Sequence, residues 1–251
     1  MPELPEAERA RRQIEKVLGR RIASVDDADG YVCRPHGPGE INDALAGRTL
    51  TTAHRRGKFL WVETGEDGPA LGLHLGMAGR IVVDEKPGPR DWDRFSLAFE
   101  DGGRLALHDK RRLSRAVIDP DYSHIGPDAG EIPRAAFRSR VGRGTAPLKA
   151  RLLDQSVLAG VGNLLADETL WQARLSPNRQ AGSLDETELD RLRVALRAAI
   201  RSAIVKGGVH TGAFIDSRKR GRSCPRCAAP LERATVGGRT TFWCPSCQPD
   251  D

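Results

Sequence analysis

Two Cys-x-x-Cys pairs lie near the end of the chain, Cys224-Pro-Arg-Cys227 and Cys244-Pro-Ser-Cys247, with sixteen residues between them. Each pair presents two sulfurs from one tight turn. Four thiolates at this spacing close a tetrahedron around one zinc ion, with iron the other metal that takes four thiolates. Sulfur fills every ligand position, so the metal is expected to be structural, with no position open for water or substrate. Between the pairs, residues 231–244 read as a two-stranded hairpin turning at Gly237-Gly238, with Arg239 beside the tip. An arginine there can reach a phosphate or can simply be solvated.

The other end carries a second reactive group. In "MPELPEAE", removal of Met1 leaves Pro2 as a secondary amine, and an α-amino pKa of about 7.7 to 8.0 keeps part of it unprotonated and nucleophilic at neutral pH. The competing reading is that Pro2 and Pro5 start a helix and that the glutamates complement its positive end. Three internal stretches are ambiguous in the same way. Gly160 and Gly162, ahead of Asn163, can bring backbone N–H groups and a helix N-terminus to a phosphate, or can form a tight turn between helices. Lys58, in "RRGKFLWVE", is a phosphate ligand or a surface cation. Met77, in "HLGMAG", is a functional side chain or core filler.

The chain that must position these residues has 251 of them, enough for one large domain or two smaller ones. Forty Lys and Arg against 34 Asp and Glu give a formal charge of +6, which suits a polyanionic partner. The basic residues cluster at 55–58, 110–115, 138–149 and 218–222. Only 5% of residues are aromatic and none sits among the basic runs, which disfavours a module that stacks single-stranded bases. There is neither an export signal nor an apolar run of about 20 residues, so a soluble, cytoplasmic protein without a membrane partner is expected. In that setting the paired cysteines favour metal over disulfides, and Cys33 is left without a role.

Apolar spacing predicts a helix over residues 5–18, ended by Gly19. Alternating runs then predict strands in "FLWVET", "ALGLHLGMAGRIVVDE", "RFSLAFEDGGRLALHD" and "SRAVID", with a hairpin at Asp101-Gly102-Gly103. "DPDYSHIGPDAGEIP" reads as a linker. Helical patterns follow, including a long helix opened by a Ser183–Glu186 capping box, with Leu189, Leu192, Leu196, Ala199, Ala203 and Ile204 on one face. The expected fold class is α+β multidomain: residues 1–122 a β-sandwich with a leading helix, 123–216 a helical domain, 217–251 the metal-binding hairpin.

Taken together, "PELPEAE", "RRGKFL", "HLGMAG", "DKRRL", "LLDQSVLAGVGNLLADETLWQARLSP" and the cysteine pairs resemble, in order and over essentially the whole chain, the formamidopyrimidine-DNA glycosylase and endonuclease VIII family of base-excision repair enzymes. The resemblance implies a β-sandwich, a helix-two-turn-helix domain and a zinc finger holding one structural Zn²⁺. It implies a bifunctional glycosylase and abasic-site lyase that acts as a monomer on double-stranded DNA carrying an oxidised base or an abasic site. Pro2 would form the Schiff base, Glu3 would be the general acid/base, and Glu6 would orient the terminus. Lys58, Asn163 and Arg239 match phosphate-gripping positions. Met77, Arg111 and Leu113 match side chains that fill the hole left by a flipped nucleotide, and Lys149 matches a DNA-contacting basic position. The alternative function is a non-catalytic binder of damaged DNA, for which Pro2, Glu3 and Glu6 would be superfluous.

Two features depart from the family pattern. Leu113 stands where an aromatic is frequent, and only fifteen residues separate Gly208 from Cys224, where formamidopyrimidine enzymes carry a longer segment with a loop over flipped 8-oxoguanine. Formamidopyrimidines, further-oxidised purines, oxidised pyrimidines and abasic sites are all consistent with the resemblance, and 8-oxoguanine is the least supported.

Overall fold

A computed structural model describes residues 2–85 and 90–250, so Met1 lies outside the described residues. The chain divides into two compact units, the first comprising Pro2 and Ala7–Ser123, the second Glu3–Glu6 together with the chain from His124. The leading helix α1 (Leu4–Ile14) therefore begins in the second unit and continues into the first.

Beyond α1, the first unit contains β1 (Ile22–Asp26), a short α2 (Glu40–Leu45), β2 (Thr52–Arg56), β3 (Phe59–Glu63), β4 (Leu71–His74), β5 (Arg80–Asp84), β6 (Asp93–Phe99), β7 (Arg104–His108) and β8 (Arg115–Ile118). They form two four-stranded sheets, ordered β1-β6-β7-β5 and β2-β3-β4-β8, antiparallel throughout. One core fills the sandwich, with Ile22, Phe95, Leu97 and Leu107 from one sheet and Leu60, Val62, Leu71 and Leu73 from the other. Ala7, Ala10 and Ile14 of α1 pack into it at helical spacing. The Asp101-Gly102-Gly103 turn joins β6 to β7 as expected. The single apolar stretch 70–85 divides at a turn into β4 and β5, which belong to different sheets. β1 and β2 are not among the strands the alternation predicts, because their outward positions carry too many polar residues.

The second unit contains α3 (Arg134–Val141), α4 (Leu148–Leu153), α5 (Asn163–Ala173), α6 (Glu186–Lys206), and the hairpin β9 (Glu232–Val236) and β10 (Arg239–Trp243). Phe137, Leu148, Leu165, Leu170, Leu192 and Leu196 make its main core, and Trp171, Phe214 and Phe242 make a smaller one beside the cysteines. Two expectations are corrected here. The capping box of α6 is Asp185 with Glu188: Asp185 accepts the Glu188 N–H at 2.8 Å and Glu188 accepts the Asp185 N–H at 3.1 Å. Ser183 instead ends a short 3₁₀ turn and gives its hydroxyl hydrogen to the Gln180 carbonyl. Nor is residues 119–133 a free linker. Ile125, Ala129 and Ile132 are buried, and the Ala129 N–H donates to the Ala159 carbonyl, so this segment lines the helical core. Of the six positions expected on one face of α6, Leu189, Leu192, Leu196 and Ala203 are buried, while Ala199 and Ile204 are half-buried at its margin.

In the first unit α1 is fixed to β2 by one carboxylate. Glu8 is bonded by Arg11, Arg12 and Arg55, and Arg55 lies three residues before Lys58. Burial alone would raise its pKa, but the guanidiniums of Arg11, Arg55 and Arg12 overcome that and hold it at about 2. The folded carboxyl titrates below the unfolded one, so its contribution is complete above about 4.5 and is lost as pH falls toward about 2. Glu8→Gln should lower stability by on the order of 2 kcal/mol at neutral pH, with the loss narrowing between pH 4.5 and 2. Denaturant titrations across that range check it, and a pH-independent difference would contradict it.

Candidate functional site

Glu3 is buried, and its carboxylate lies on the first turn of α5. Oε2 accepts the N–H of Gly162 at 3.1 Å and of Leu165 at 2.9 Å, and Oε1 accepts that of Leu164 at 2.9 Å. Backbone donors left over at a helix start complement an anion, and here the anion is the chain's own. The expectation that these N–H groups face a phosphate is corrected to that extent. The glycines are explained by the same fit: a Cβ on Gly162 would lie 2.3 Å from the Glu3 side chain, and Gly160 takes φ +109° while its carbonyl accepts the Leu4 N–H. Gln155 ties the turn from behind through the Gly160 N–H and the Val161 carbonyl.

Glu6 completes the seat. Its Oε2 accepts the Glu3 N–H at 2.9 Å, as a residue at the third helical position does in a capping box, and its Oε1 accepts the Val209 N–H at 2.7 Å. Gly208, at φ +144°, leaves space for that carboxylate, since a Cβ would lie 2.6 Å from it. Pro2, joined covalently to Glu3, is half-buried. Asn163 is the first residue of α5, and its buried side-chain oxygen has no hydrogen-bond partner among the described residues.

In the first unit Lys58 follows Gly57, at φ +62°, in the turn between β2 and β3. The sequence reading passed over a neighbour, His74, at the end of β4. Its Nδ1 accepts the Gly76 N–H at 3.1 Å, and burial, with the Lys58 charge, pushes its pKa below the usual histidine value. A neutral imidazole with Nδ1 accepting carries its proton on Nε2, a donor beside an ammonium. Its position three residues before Met77 in "HLGM" was the available signal.

Met77 and the 110–113 loop come together because of another glycine. Gly76, at φ +57°, packs so tightly on the Leu113–Ser114 backbone that a Cβ would sit 2.3 Å from the Leu113 carbonyl oxygen. Buried Asp109 collects the N–H groups of Arg111 at 2.9 Å, Leu113 at 2.7 Å and Ser114 at 2.8 Å. Arg112 takes the left-handed conformation, φ +55°, and its guanidinium forms two hydrogen bonds to Asp29 at 2.9 and 2.7 Å. Asp29 is a second residue that sequence reasoning missed, because its partner lies 83 positions away. Of the side chains the sequence singled out here, Met77 and Arg111 are exposed and Leu113 is half-buried.

The four cysteine sulfurs all lie within 4.8 Å of one another, with Cys224–Cys247 at 4.0 Å, Cys227–Cys244 at 3.5 Å and Cys227–Cys247 at 3.4 Å. A tetrahedron with Zn–S bonds of about 2.3 Å has edges near 3.8 Å, so the donor set fits one zinc ion. Cys224 accepts hydrogen bonds from the Trp171 indole and the Arg226 N–H. Against burial, they hold its pKa down to about 6, whereas burial pushes Cys244 up to about 12. A divalent cation would favour the thiolate at all four positions.

Lys149 is not a surface cation. It is wholly buried in α4, with Nζ 2.7 Å from Asp167 Oδ1 and 2.7 Å from Thr241 Oγ1. Asp167 also takes Arg218 at 2.6 Å and the Phe242 N–H at 3.3 Å. Burial, joined by the Arg218 charge, lowers the Lys149 pKa, and Asp167 opposes them. The expectation of a direct DNA contact is therefore corrected: Lys149 fastens β10 to α4 and α5. The hairpin tip rests on the same helix, for a Cβ on Gly237 would lie 2.9 Å from the Ala150 Cα. Arg239, one residue past the tip, is exposed.

Comparisons agree with this layout. Residues 1–116 match the formamidopyrimidine-DNA glycosylase N-terminal domain, 125–214 the formamidopyrimidine-DNA glycosylase H2TH domain, and 223–249 the zinc finger found in FPG and IleRS. The formamidopyrimidine-DNA glycosylase of a Nocardioides species is 35% identical over 280 aligned positions, covering 99% of this chain and 95% of the relative; that of Rhodococcus erythropolis is 34% identical, covering 99% and 97%. Among solved structures, Lactococcus lactis Fpg with abasic-site DNA superposes with a TM-score of 0.85 at 29% identity, over 98% of this chain and 99% of that one. MutM with carbocyclic 8-oxo-G DNA gives 0.86 at 30%, over 99% and 100%. The chain belongs to the formamidopyrimidine-DNA glycosylase family. It has that family's two-sheet N-terminal region with a leading helix, its helical H2TH region and its four-cysteine zinc finger.

Two substitutions test the geometry. Gly162→Ala should displace the Glu3 carboxylate from α5 and lower the thermal midpoint by several degrees, because a methyl cannot share its space. Asp167→Ala leaves the buried Lys149 and the half-buried Arg218 without their counter-charge, and should cost about 3 to 5 kcal/mol by chemical denaturation. A loss under 1 kcal/mol would show that the hairpin is held by other contacts.

Proposed function

We propose that the protein is a base-excision repair DNA glycosylase with abasic-site lyase activity, acting as a monomer on oxidised bases in duplex DNA in the bacterial cytoplasm, at the nucleoid. With Met1 removed, the Pro2 nitrogen lone pair attacks C1′ of the damaged nucleotide. The C1′–N bond breaks, and the base departs with that electron pair and is protonated. The Glu3 carboxylate takes the proton from the alkylated Pro2 nitrogen and gives it to O4′ as the C1′–O4′ bond opens, leaving an iminium between Pro2 and C1′. The cationic imine acidifies C2′–H. Loss of that proton expels the 3′ phosphate, a second elimination expels the 5′ phosphate, and water releases the sugar remnant from Pro2.

Lys58, Asn163 and Arg239 bind phosphates around the lesion, which offsets part of the few kcal/mol needed to unstack a nucleotide. Met77 and Leu113 occupy the vacated stack, and Arg111 hydrogen-bonds the orphaned base. Glu6 orients the terminus. Lys149 acts through the finger, holding the strand from which Arg239 projects. The zinc ion, held by Cys224, Cys227, Cys244 and Cys247, supplies structural cross-linking alone. The short 209–223 segment, whose Phe214 N–H is held by buried Glu168, leaves little chain to cover a flipped base. That favours formamidopyrimidines, oxidised pyrimidines and abasic sites over 8-oxoguanine.

The observation that carries the reading is the seat of Glu3. A glutamate next to the terminal proline is buried and fixed by three backbone donors and by Glu6, an investment that DNA binding by exposed cations does not need. Borohydride reduction on duplexes bearing an abasic site, a formamidopyrimidine, an oxidised pyrimidine or 8-oxoguanine should trap a covalent adduct that mass mapping assigns to Pro2. Binding without any adduct, on the abasic duplex and with Met1 shown to be absent, would instead make this a damage-recognition protein.

A further inference from the structure

A group of side chains outside the positions assigned above has the chemistry of a polyanion site. Tyr31 is 44% exposed and is ringed by guanidiniums, with Arg34 at 4.0 Å from its ring centroid, Arg115 at 5.0 Å and Arg112 at 5.9 Å. The nearby carboxylates are already committed. Asp29 is taken by Arg112 at 2.7 Å and Arg94 at 3.8 Å, and Asp27 accepts the N–H groups of Gly39, Ile41 and Asn42. Among the described residues, neither Arg34 nor Arg115 pairs with a carboxylate. Arg115 gives Nη1 to the Ser114 carbonyl. Three cations gathered around one aromatic ring with one carboxylate among them repel one another unless an anion joins them.

The location specifies the anion. Arg115 begins β8, directly opposite His74 in the β4–β8 register, and the 110–113 loop runs into it. The Tyr31 turn is held along the same edge strand, since the Ala116 N–H donates to the Val32 carbonyl and Ile118 N–H to His36. Lys58, whose charge is felt at His74, and Arg115, opposite His74, are thus joined through β4 and β8 to the loop bearing Arg111. We propose that Tyr31, Arg34 and Arg115 form a preorganised contact for the phosphodiester backbone of duplex DNA, extending the footprint beside the gap-filling loop. This rests on the reading of the protein as one that binds damaged duplex DNA. Tyr31 serves as a platform: its ring fixes where the guanidiniums sit, and its hydroxyl is not required.

The test is the salt dependence of binding to an abasic-analogue duplex, between about 50 and 200 mM NaCl, for the unaltered protein, Arg34→Ala/Arg115→Ala, Tyr31→Ala and Tyr31→Phe. Each phosphate contact contributes about 0.9 to the slope of log K against log salt. The double variant should therefore lose about 1 to 2 units of slope and on the order of tenfold in affinity at low salt. Tyr31→Ala should fall between it and the unaltered protein, and Tyr31→Phe should match the latter. Melting curves establish that each variant is folded. A folded double variant with an unchanged slope overturns the proposal, as does a Tyr31→Phe variant that behaves like the double variant. Borohydride trapping by the unaltered protein separates the two readings: no adduct with a reduced variant slope defeats the catalytic function and supports this contact.

Discussion

The carboxylate of Glu3 on the amino terminus of α5 is the interaction on which the rest of the site depends. A buried carboxylate without donors would cost several kcal/mol, and a helix start without acceptors would leave its N–H groups unpaired; each removes the other's cost. The geometry leaves no slack. It needs the two glycines of the 160–162 turn, and Gln155 behind them, to bring the backbone that close. Glu6 then ties the same terminal segment to the turn after α6. The first residues of the chain are thereby specified as strictly as a core strand, though they make only one turn of helix.

A similar economy operates at the metal-binding end. A 35-residue tail cannot build a core of its own size, so it is fixed at three levels. The cysteines cross-link its base, Asp167 joins Lys149, Arg218 and the Phe242 N–H at mid-strand, and the Gly237 turn rests on Ala150 at the tip. Trp171 links the first level to α5, stacking on Phe214 while its indole N–H reaches Cys224. The exposed position of Arg239 is thus the end point of a rigid series, which is what a phosphate contact at a hairpin tip needs.

Features whose cause is local were legible in the sequence. The cysteine spacing, the Asp101-Gly102-Gly103 hairpin, the β3, β6 and β7 alternation and the leading helix each follow from a few adjacent residues. What stayed hidden depends on partners far along the chain. Lys149 is indistinguishable from its basic neighbours until Asp167 and Thr241 are folded around it, and Asp29 acquires meaning only when Arg112 arrives. The α6 cap was misplaced by two residues because Ser183–Glu186 and Asp185–Glu188 satisfy the same pattern. The backbone chose the second when Ser183 went into a 3₁₀ turn. The order of motifs along the chain indicated Pro2 and Glu3, yet how Glu3 is held could not be read from it.

One consequence runs against a composition-level reading of charge. Glu3, Asp27, Asp109 and Glu168 each collect backbone N–H groups in the interior, while Glu8 and Asp167 are consumed by arginines and a lysine. Among the described residues seven acidic side chains are buried, against two basic ones, Arg104 and Lys149. The solvent-facing surface is therefore more positive than the formal charge of +6, because folding withdraws carboxylates preferentially. A protein that uses its acids as internal fasteners and leaves its arginines outside gains two properties from one sequence choice: loops held rigid by buried carboxylates, and a field that draws in a polyanion.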